Sequence, residues 1–142
     1  MAQDSIQVLQ TNGYKVTKPR LQVLDVLNNV HKLVSPYEIQ DILKQQGRNL
    51  NLVTIYRILY LLCSLNLAHK LPSSGRFAKC NLGSREGCHR FMICHKCGAM
   101  QEFADEDLCR IEKLTAQKTG FYTQYHISES YGLCSKCYRK GK

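Results

Sequence analysis

The sequence predicts an α+β fold in two parts, a helical first half that ends in a β-hairpin and a small α/β second half. Three observations lead to this prediction. Apolar residues recur at helical spacing, with capping residues before them, through most of the first half. Two strand-like runs flank a Pro-Ser-Ser-Gly turn. Two Cys-x-x-Cys pairs, at 94/97 and 134/137, enclose a stretch with strand and helix patterns.

The first two predicted helices are short. Residues 4–12 form a weak helix that ends before a glycine. In "TKPRLQVLDVL", Pro19 lies in the first turn of the second helix. Leu21, Leu24 and Leu27 follow at a spacing that places them on one apolar face.

The next two helices carry clear start signals. In "SPYEIQDILKQQG", Ser35 is the expected N-cap, Glu38 completes a capping box, and a glycine ends the helix. Asn51 can cap the following helix, "LVTIYRILYLLCSL". The inward face of that helix is predicted to consist of Ile55, Ile58, Leu59 and Leu62. Its other face carries Thr54, Tyr56 and Arg57.

A β-hairpin is predicted to end the first half. The stretch "AHKLPSSGRFAKC" holds two short strand patterns around the turn. Helices followed by a hairpin are the order of a winged helix-turn-helix module, whose last helix lies in the major groove of DNA. We expect this DNA-binding module to span residues 1–80, and the Gly- and Ser-bearing stretch 81–87 to be a hinge.

The second half, residues 88–142, is predicted to be a small α/β domain. "RFMIC" and "AMQEF" indicate two strands, and "DEDLCRIEKLTAQKTG" indicates a helix with acidic residues at its positive end. The apolar stripe of this helix is Leu108, Ile111 and Leu114. "FYTQYHISESYG" alternates as a strand does. One face of that strand would carry Phe121, Thr123, Tyr125 and Ile127.

Cys94, Cys97, Cys134 and Cys137 predict a structural zinc site. Four thiolates complete a closed tetrahedral site, and a domain of this size usually needs a staple or a partner subunit. The alternatives are a redox dithiol, buried free thiols and disulfides. No apolar segment typical of a secretory signal or long enough to cross a membrane occurs, so we expect a cytoplasmic protein with reduced cysteines.

Positive charge is concentrated in the first half. Residues 1–85 hold 11 Lys/Arg against 4 Asp/Glu, a net charge of +7, whereas residues 86–142 carry only +2. Zinc bound by four thiolates would make the second half roughly neutral. The basic half indicates a polyanionic partner, most simply nucleic acid, although a solvated basic surface would look the same.

Four residues of ligand type near the first Cys-x-x-Cys pair are candidates for a second site: His69, Cys80, His89 and Glu102. Taken one by one, each has an ordinary explanation as a surface or core residue. Together they form a candidate second metal site, which the residues alone leave open.

The motifs in combination resemble the ferric uptake regulator family over essentially the whole chain. They are "GYKVTKPRLQVLDVL", "SPYEIQDIL", "NLVTIYRILYLLCSLNLAHKL" and "CHKCGAMQEF…GLCSKC". The resemblance implies a dimeric, metal-dependent repressor with an N-terminal winged helix and a C-terminal dimerisation domain. It also implies that the chain binds operator DNA, expected as an AT-rich inverted repeat, and contacts no membrane.

Within that family the ligand types are similar to those of the zinc uptake regulators. The resemblance implies that His69, Cys80, His89 and Glu102 hold a regulatory zinc, giving two Zn²⁺ per chain. Iron-sensing members have a His-rich run before the first Cys-x-x-Cys, where this chain has "CHRF". A donor set that includes a cysteine suits Zn²⁺ better than octahedral Fe²⁺ or Mn²⁺. His89 is the least secure ligand, and Cys88 is its nearest rival.

The polar face and N-terminal end of the fourth helix predict DNA contacts at Asn51, Thr54, Tyr56 and Arg57. The resemblance implies further contacts, to the backbone or the minor groove, at Lys15, Lys18 and Arg20. Tyr56 and Arg57 are expected in the major groove, where Tyr56 would touch thymine methyls; a core position for Tyr56 is the alternative. Some relatives carry a third metal site in the dimerisation domain. Here His126 matches one of its ligands, but Cys109 stands at the position of its glutamate.

Three other functions remain as alternatives. A zinc hydrolase or deaminase needs an open coordination position beside a general base, and the sequence contains no HExxH and no HxE with PCxxC. An iron- or peroxide-sensing regulator of the same family is a nearer alternative. The simplest one is a DNA-binding module with structural zinc and no sensing.

Overall fold

The chain divides into two units, residues 1–81 and residues 82–142. A computed structural model describes residues 2–80, 88–124 and 126–141, without the side chains of residues 2, 3 and 88. The predicted hinge, residues 81–87, and the predicted inward residue Tyr125 therefore lie outside the described residues.

The first unit contains four helices followed by a hairpin. In chain order these are α1 (Ala2–Thr11), α2 (Lys18–Asn29), α3 (Pro36–Gln45), α4 (Leu52–Ser64), β1 (Ala68–Lys70) and β2 (Phe77–Lys79). The predicted start signals are confirmed. Ser35 and Glu38 form a reciprocal capping box on α3, and the Asn51 side chain accepts a hydrogen bond from the backbone of Thr54 at the start of α4.

Aliphatic side chains from α1 to α4 and aromatic Phe77 from β2 fill one core. The four inward residues predicted for α4 are all buried. The prediction for α2 is wrong at Leu21, which is 40% exposed. The helix buries Val23 and Val26 beside Leu24 and Leu27, so its apolar face is centred on the valines.

The described residues of the second unit form a three-stranded sheet and two helices. Its elements are β3 (Cys88–Cys94), β4 (Met100–Phe103), α5 (Glu106–Gln117), β5 (His126–Gly132) and α6 (Ser135–Lys140). The strand order is β4-β3-β5, with β4 antiparallel and β5 parallel to the central strand. β3 and β5 pair along their whole length, from Cys88 opposite His126 to Cys94 opposite Gly132. This register sets the two Cys-x-x-Cys pairs at the same end of the sheet.

The predicted strand face of Phe121, Thr123, Tyr125 and Ile127 is wrong in its first part. β5 begins only at His126, and Phe121 is 65% exposed. Alternation alone does not make a strand, because a strand also needs a neighbour to bond. Within the described residues, the pairing of β5 with the central strand runs from His126 opposite Cys88 to Gly132 opposite Cys94, and residues 121–124 belong to no strand.

The apolar stripe of α5 lies at the surface of the single chain. Leu108, Ile111 and Leu114 are 41%, 54% and 49% exposed, and Cys109 is the buried residue of the helix. The helix itself is as predicted, with Asp105 as its N-cap.

Candidate functional site

The four predicted zinc ligands lie together in the second unit. Cys94 is the last residue of β3, and Cys97 lies in the turn after it. Cys134 is the N-cap of α6, and Cys137 lies in the first turn of that helix. Their sulfur atoms all lie within 4.8 Å of one another, and those of Cys97 and Cys134 are 3.7 Å apart. A tetrahedron with metal–sulfur bonds of about 2.3 Å places its sulfurs roughly 3.8 Å apart. The donor set and its spacing therefore fit Zn²⁺.

Two backbone hydrogen bonds shape this end of the sheet. The amide of His95 donates to the carbonyl of Gly132 at 2.9 Å, which fixes the first Cys-x-x-Cys turn against the end of β5. The amide of Gly98 donates to the carbonyl of Cys94 at 2.9 Å and closes the turn itself. Gly98 has φ +79°, in the left-handed region that glycine adopts readily.

The four thiols do not ionise alike. Hydrogen bonds with the backbone at Cys134 and then Cys97 lower the pKa of Cys94 to about 5. Hydrogen bonding with the Cys137 backbone lowers the pKa of Cys134 as well. A side-chain hydrogen bond with Cys134, and then burial, raise the pKa of Cys137 to about 12. Four thiolates so close together need a cation, and a bound dication supplies that charge.

The candidate regulatory ligands occur as two pairs, one in each unit. In the first unit, His69 of β1 lies opposite Ala78 of β2, and Cys80 is two residues beyond Ala78. His69 and Cys80 are therefore diagonal neighbours on one face of the hairpin. Both are buried, and their ligand atoms lie within 4.8 Å of each other.

The second pair has the same geometry in the second unit. Glu102 of β4 lies opposite Phe91 of β3, and His89 is two residues before Phe91. His89 and Glu102 are again diagonal neighbours, and His89 Nδ1 lies 3.2 Å from Glu102 Oε2. Both side chains are almost wholly buried. Phe91, the phenylalanine of the "CHRF" run, is completely buried. The side chain of the rival ligand Cys88 lies outside the described residues.

A third cluster joins α5 to the sheet of the second unit. His126 Nε2 lies 3.3 Å from Cys109 Sγ and 3.3 Å from Glu112 Oε2. The guanidinium of Arg90 donates a hydrogen bond to the other oxygen of Glu112. Sequence reasoning noted Cys109 and His126 but missed Glu112. Cys109 is disulfide-bonded, contrary to the expectation of reduced cysteines at this position, and it therefore offers no thiolate to a third metal site.

The outer face of α4 presents the predicted base-contacting residues. Arg57 is exposed and Tyr56 is half-buried, so Tyr56 does not belong to the core. The oxygen of Asn51 is occupied by the helix cap at 2.8 Å from the amide of Thr54. Asn51 therefore sets where α4 begins, whether or not it also meets DNA.

The three basic residues before and at the start of α2 differ in their surroundings. Lys15 and Lys18 are exposed. Arg20 packs its guanidinium 5.7 Å from the centre of the Tyr14 ring and donates a hydrogen bond of 2.7 Å to the carbonyl of Lys15. Arg20 thus holds the Tyr14–Lys15 segment in place.

Two residues near this surface were missed from the sequence, Tyr60 and Lys70. Tyr60 is one turn after Tyr56 on α4 and is 51% exposed, and the ammonium of Lys70 lies 5.7 Å from the centre of its ring. The i, i+4 spacing of two tyrosines on a polar face was the available signal.

No helix within the described ranges is long and apolar enough to cross a membrane.

Comparisons with known proteins agree with this architecture. The model of the ferric uptake regulator family matches residues 11–131. The ferric uptake regulation protein of Neisseria meningitidis serogroup A is 28% identical over 142 residues, covering 98% of this chain and 96% of that protein. The zinc uptake regulation protein of Escherichia coli K12 is 30% identical over 132 residues, covering 92% of this chain and 77% of that protein.

A solved structure of a zinc uptake regulator in complex with zinc and DNA is also similar. It matches with a TM-score of 0.89 and 26% identity, covering 99% of this chain and 94% of that one. The fold and the family match define a metalloregulatory transcription factor rather than an enzyme. The chain belongs to the ferric uptake regulator family.

Proposed function

We propose that this chain is a zinc-responsive, dimeric transcriptional repressor of the cytoplasm that controls genes of zinc uptake and homeostasis. It would bind operator DNA, an AT-rich inverted repeat, when a regulatory zinc is held by His69, Cys80, His89 and Glu102. The observation that carries this proposal is the pair of matching half-sites, each made of two buried ligand-type side chains on diagonal positions of a hairpin.

The chemistry of the four donors favours zinc over iron. Two imidazoles, one thiolate and one carboxylate make a tetrahedral set of nitrogen, sulfur and oxygen donors, which Zn²⁺ accepts readily. Fe²⁺ and Mn²⁺ prefer octahedral coordination by six oxygen and nitrogen ligands without a thiolate. The buried phenyl ring of Phe91 adds no donor to that set.

The second proposed zinc, at Cys94, Cys97, Cys134 and Cys137, would be structural. All four positions of a tetrahedron are taken by protein sulfurs, so no position remains for a substrate or an exchanging ligand. This gives the expected total of two Zn²⁺ per chain.

Dimerisation is supported by the apolar surface of the second unit. α5 exposes Leu108, Ile111 and Leu114 along one stripe, which is costly for a lone chain in water. A second copy of the chain would cover such a stripe. Two winged helices would then be presented to two half-sites of an inverted repeat.

DNA binding is supported by the charge and the surface of the first unit. Residues 1–81 hold 10 Lys/Arg against 4 Asp/Glu, a net charge of +6, which provides for several phosphate contacts. Tyr56 and Arg57 on the outer face of α4 would read base edges, with Thr54 and the capping residue Asn51 at the positive end of the helix. Lys15, Lys18 and the segment held by Arg20 would reach the backbone or the minor groove.

Zinc would act by joining two half-sites that belong to different units. A metal held by both pairs restricts how the winged helix moves relative to the dimerisation unit. The population then shifts towards dimers whose winged helices match the spacing of the half-sites, although zinc itself makes no contact with DNA. Tenfold tighter DNA binding requires only about 1.4 kcal/mol of coupling, within the usual range for allosteric proteins.

Metal counting combined with DNA binding tests the proposal. The purified protein should contain two zincs per chain, and mild chelation should remove one of them. Affinity for an inverted repeat selected from random duplexes should fall when that labile zinc leaves and recover on adding Zn²⁺. Recovery with Fe²⁺ under anaerobic conditions, but not with Zn²⁺, would indicate an iron- or peroxide-sensing regulator instead. DNA binding unchanged by chelation would leave a module with structural zinc only.

A further inference from the structure

An aromatic ladder runs from the base-contacting face of α4 to the hairpin of the first unit. The rings of Tyr56 and Tyr60 stack with centroids 6.2 Å apart and planes inclined by 27°. The ring of Tyr60 meets Phe77 of β2 edge-on, again at 6.2 Å. Both distances lie within the range of attractive aromatic pairs.

The hairpin end of the ladder lies next to the first pair of zinc ligands. Lys70, whose ammonium lies over the Tyr60 ring, directly follows His69 on β1. It pairs with Phe77 across the hairpin, so both contacts of Tyr60 come from opposed positions on the two strands. Cys80 follows β2 three residues after Phe77.

Cys63 lies in the last turn of α4, outside both sets of candidate ligands. Burial raises the pKa of its thiol to about 11, so Cys63 remains a neutral packing residue at neutral pH. The hairpin therefore contacts the outer face of α4 through Lys70 and Phe77, the two side chains that meet the Tyr60 ring.

We propose that Tyr60 is a positioning residue through which zinc at the hairpin ligands sets the ring of Tyr56 for reading bases. The inference rests on the proposed function and deepens it. Zinc bound by His69 and Cys80 restrains the two strands at the residues beside Lys70 and Phe77. These two side chains hold the Tyr60 ring, and that ring limits the orientations open to Tyr56.

This effect of zinc on the Tyr56 ring is distinct from its effect on the spacing of two winged helices. The two effects can be separated by the kind of DNA that is bound. Spacing affects a DNA site only when both halves of the inverted repeat are engaged. Orientation of Tyr56 affects each half-site by itself. Zinc should therefore improve discrimination between a correct and a scrambled half-site even on DNA that offers only one half-site.

The test uses the full-length, zinc-loaded protein and its variants on two duplexes. One duplex carries a single half of the inverted repeat selected by the wild type, and the other carries the same bases scrambled. The ratio of the two affinities is measured with the labile zinc present and after its removal. The variants are Tyr60→Leu, which removes the ring, and Tyr60→Phe, which keeps it. Tyr37→Leu is the matched control, because Tyr37 is a 60% exposed tyrosine on α3.

We expect Tyr60→Leu to lower the zinc-loaded ratio about tenfold, equivalent to about 1.4 kcal/mol, and to abolish its dependence on zinc. Tyr60→Phe and Tyr37→Leu should match the wild type. Zinc content and helicity should be unchanged in all three, since leucine suits a helix as well as tyrosine does.

Two results would overturn the inference alone: a Tyr60→Leu variant that discriminates as the wild type does, and a Tyr60→Phe variant as impaired as Tyr60→Leu. The second result would mean that the Tyr60 hydroxyl contacts DNA directly. A wild type whose binding to the full inverted repeat ignores zinc would overturn the proposed function and, with it, this inference.

Discussion

The two units of the chain are stabilised in different ways. The first unit buries a continuous set of aliphatic side chains from four helices, including Leu9, Val23, Ile39 and Leu59 at 0% exposure. In the described part of the second unit, the sheet buries Phe91 and Ile93 together with cysteines of the zinc site, while the apolar stripe of α5 remains outside.

From this difference we infer that the first unit can fold on its own core, whereas the second would depend on the proposed zinc and on a partner subunit. A small module that leaves its helix stripe exposed gains little from burial alone. Damage to the first unit should therefore alter stability locally, and damage to the second should alter assembly. The following changes separate the two cases.

The largest effect is expected for Cys97→Ser. Structural zinc contributes roughly 10–16 kcal/mol of apparent binding free energy in small modules, more than the intrinsic stability of such a domain. Loss of one thiolate should unfold the second unit and abolish dimerisation, while the helical signal of the first unit persists. Circular dichroism, zinc analysis and sedimentation would measure this. Cys63→Ser, at a cysteine outside the site, should behave as the wild type; a stable zinc-free dimer of Cys97→Ser would refute the zinc site.

Leu59→Ala addresses the first unit. Leu59 is fully buried in α4, and truncation of such a leucine costs about 2–5 kcal/mol. Thermal unfolding of the helical unit should occur at lower temperature, with the structural zinc and the dimer retained. Val53→Ala on the exposed side of α4 should change stability by less than about 0.5 kcal/mol. Simultaneous loss of the dimer in Leu59→Ala would show that the two units do not fold separately.

Ile111→Glu tests the proposed interface on α5. A carboxylate placed in an apolar contact should raise the dimer dissociation constant at least 100-fold, equivalent to about 2.7 kcal/mol. Sedimentation equilibrium would measure it, with zinc content as the check on folding. Gln117→Glu places the same charge on an exposed residue of the same helix and should leave the dimer intact. If Ile111→Glu left the dimer dissociation constant unchanged, the dimer interface would lie outside the α5 stripe.

The smallest effects are expected at the DNA contacts. Arg57→Ala should reduce preference for the operator by about 1–3 kcal/mol. Lys15→Ala should weaken binding to all sequences alike. It should also reduce the slope of the logarithm of the binding constant against the logarithm of salt concentration by about one. Fluorescence anisotropy on operator and scrambled DNA at several salt concentrations distinguishes the two patterns. Equal loss on both DNAs for Arg57→Ala would place that residue on the phosphate backbone.

Features that depend on nearby residues were predictable from the sequence. Ser35 with Glu38, Asn51 with Thr54, and the two Cys-x-x-Cys turns each concern residues within three positions of one another, so spacing determines their geometry. The inward face of α4 was predictable for the same reason, because its leucines and isoleucines follow one helical period.

Features that depend on residues distant in the sequence were not predictable from it. The alternating run from Phe121 looked like a strand, but residues 121–124 belong to no strand, and the described pairing of β5 begins at His126. The apolar stripe of α5 was predictable from helical spacing, but its exposure was not, because exposure depends on which distant residues pack against the helix; Leu108, Ile111 and Leu114 are 41%, 54% and 49% exposed. Tyr60 was missed because its role is visible only when the hairpin folds back against α4.

The central claim is that a zinc shared by the two units controls DNA binding, and Cys80→Ser tests it most directly. The variant should keep its fold, its dimer and the structural zinc, and it should bind operator DNA weakly whether or not zinc is added. Cys63→Ser should keep the full zinc response. The claim would be contradicted if added zinc raised the affinity of Cys80→Ser for operator DNA as much as it raises that of the wild type.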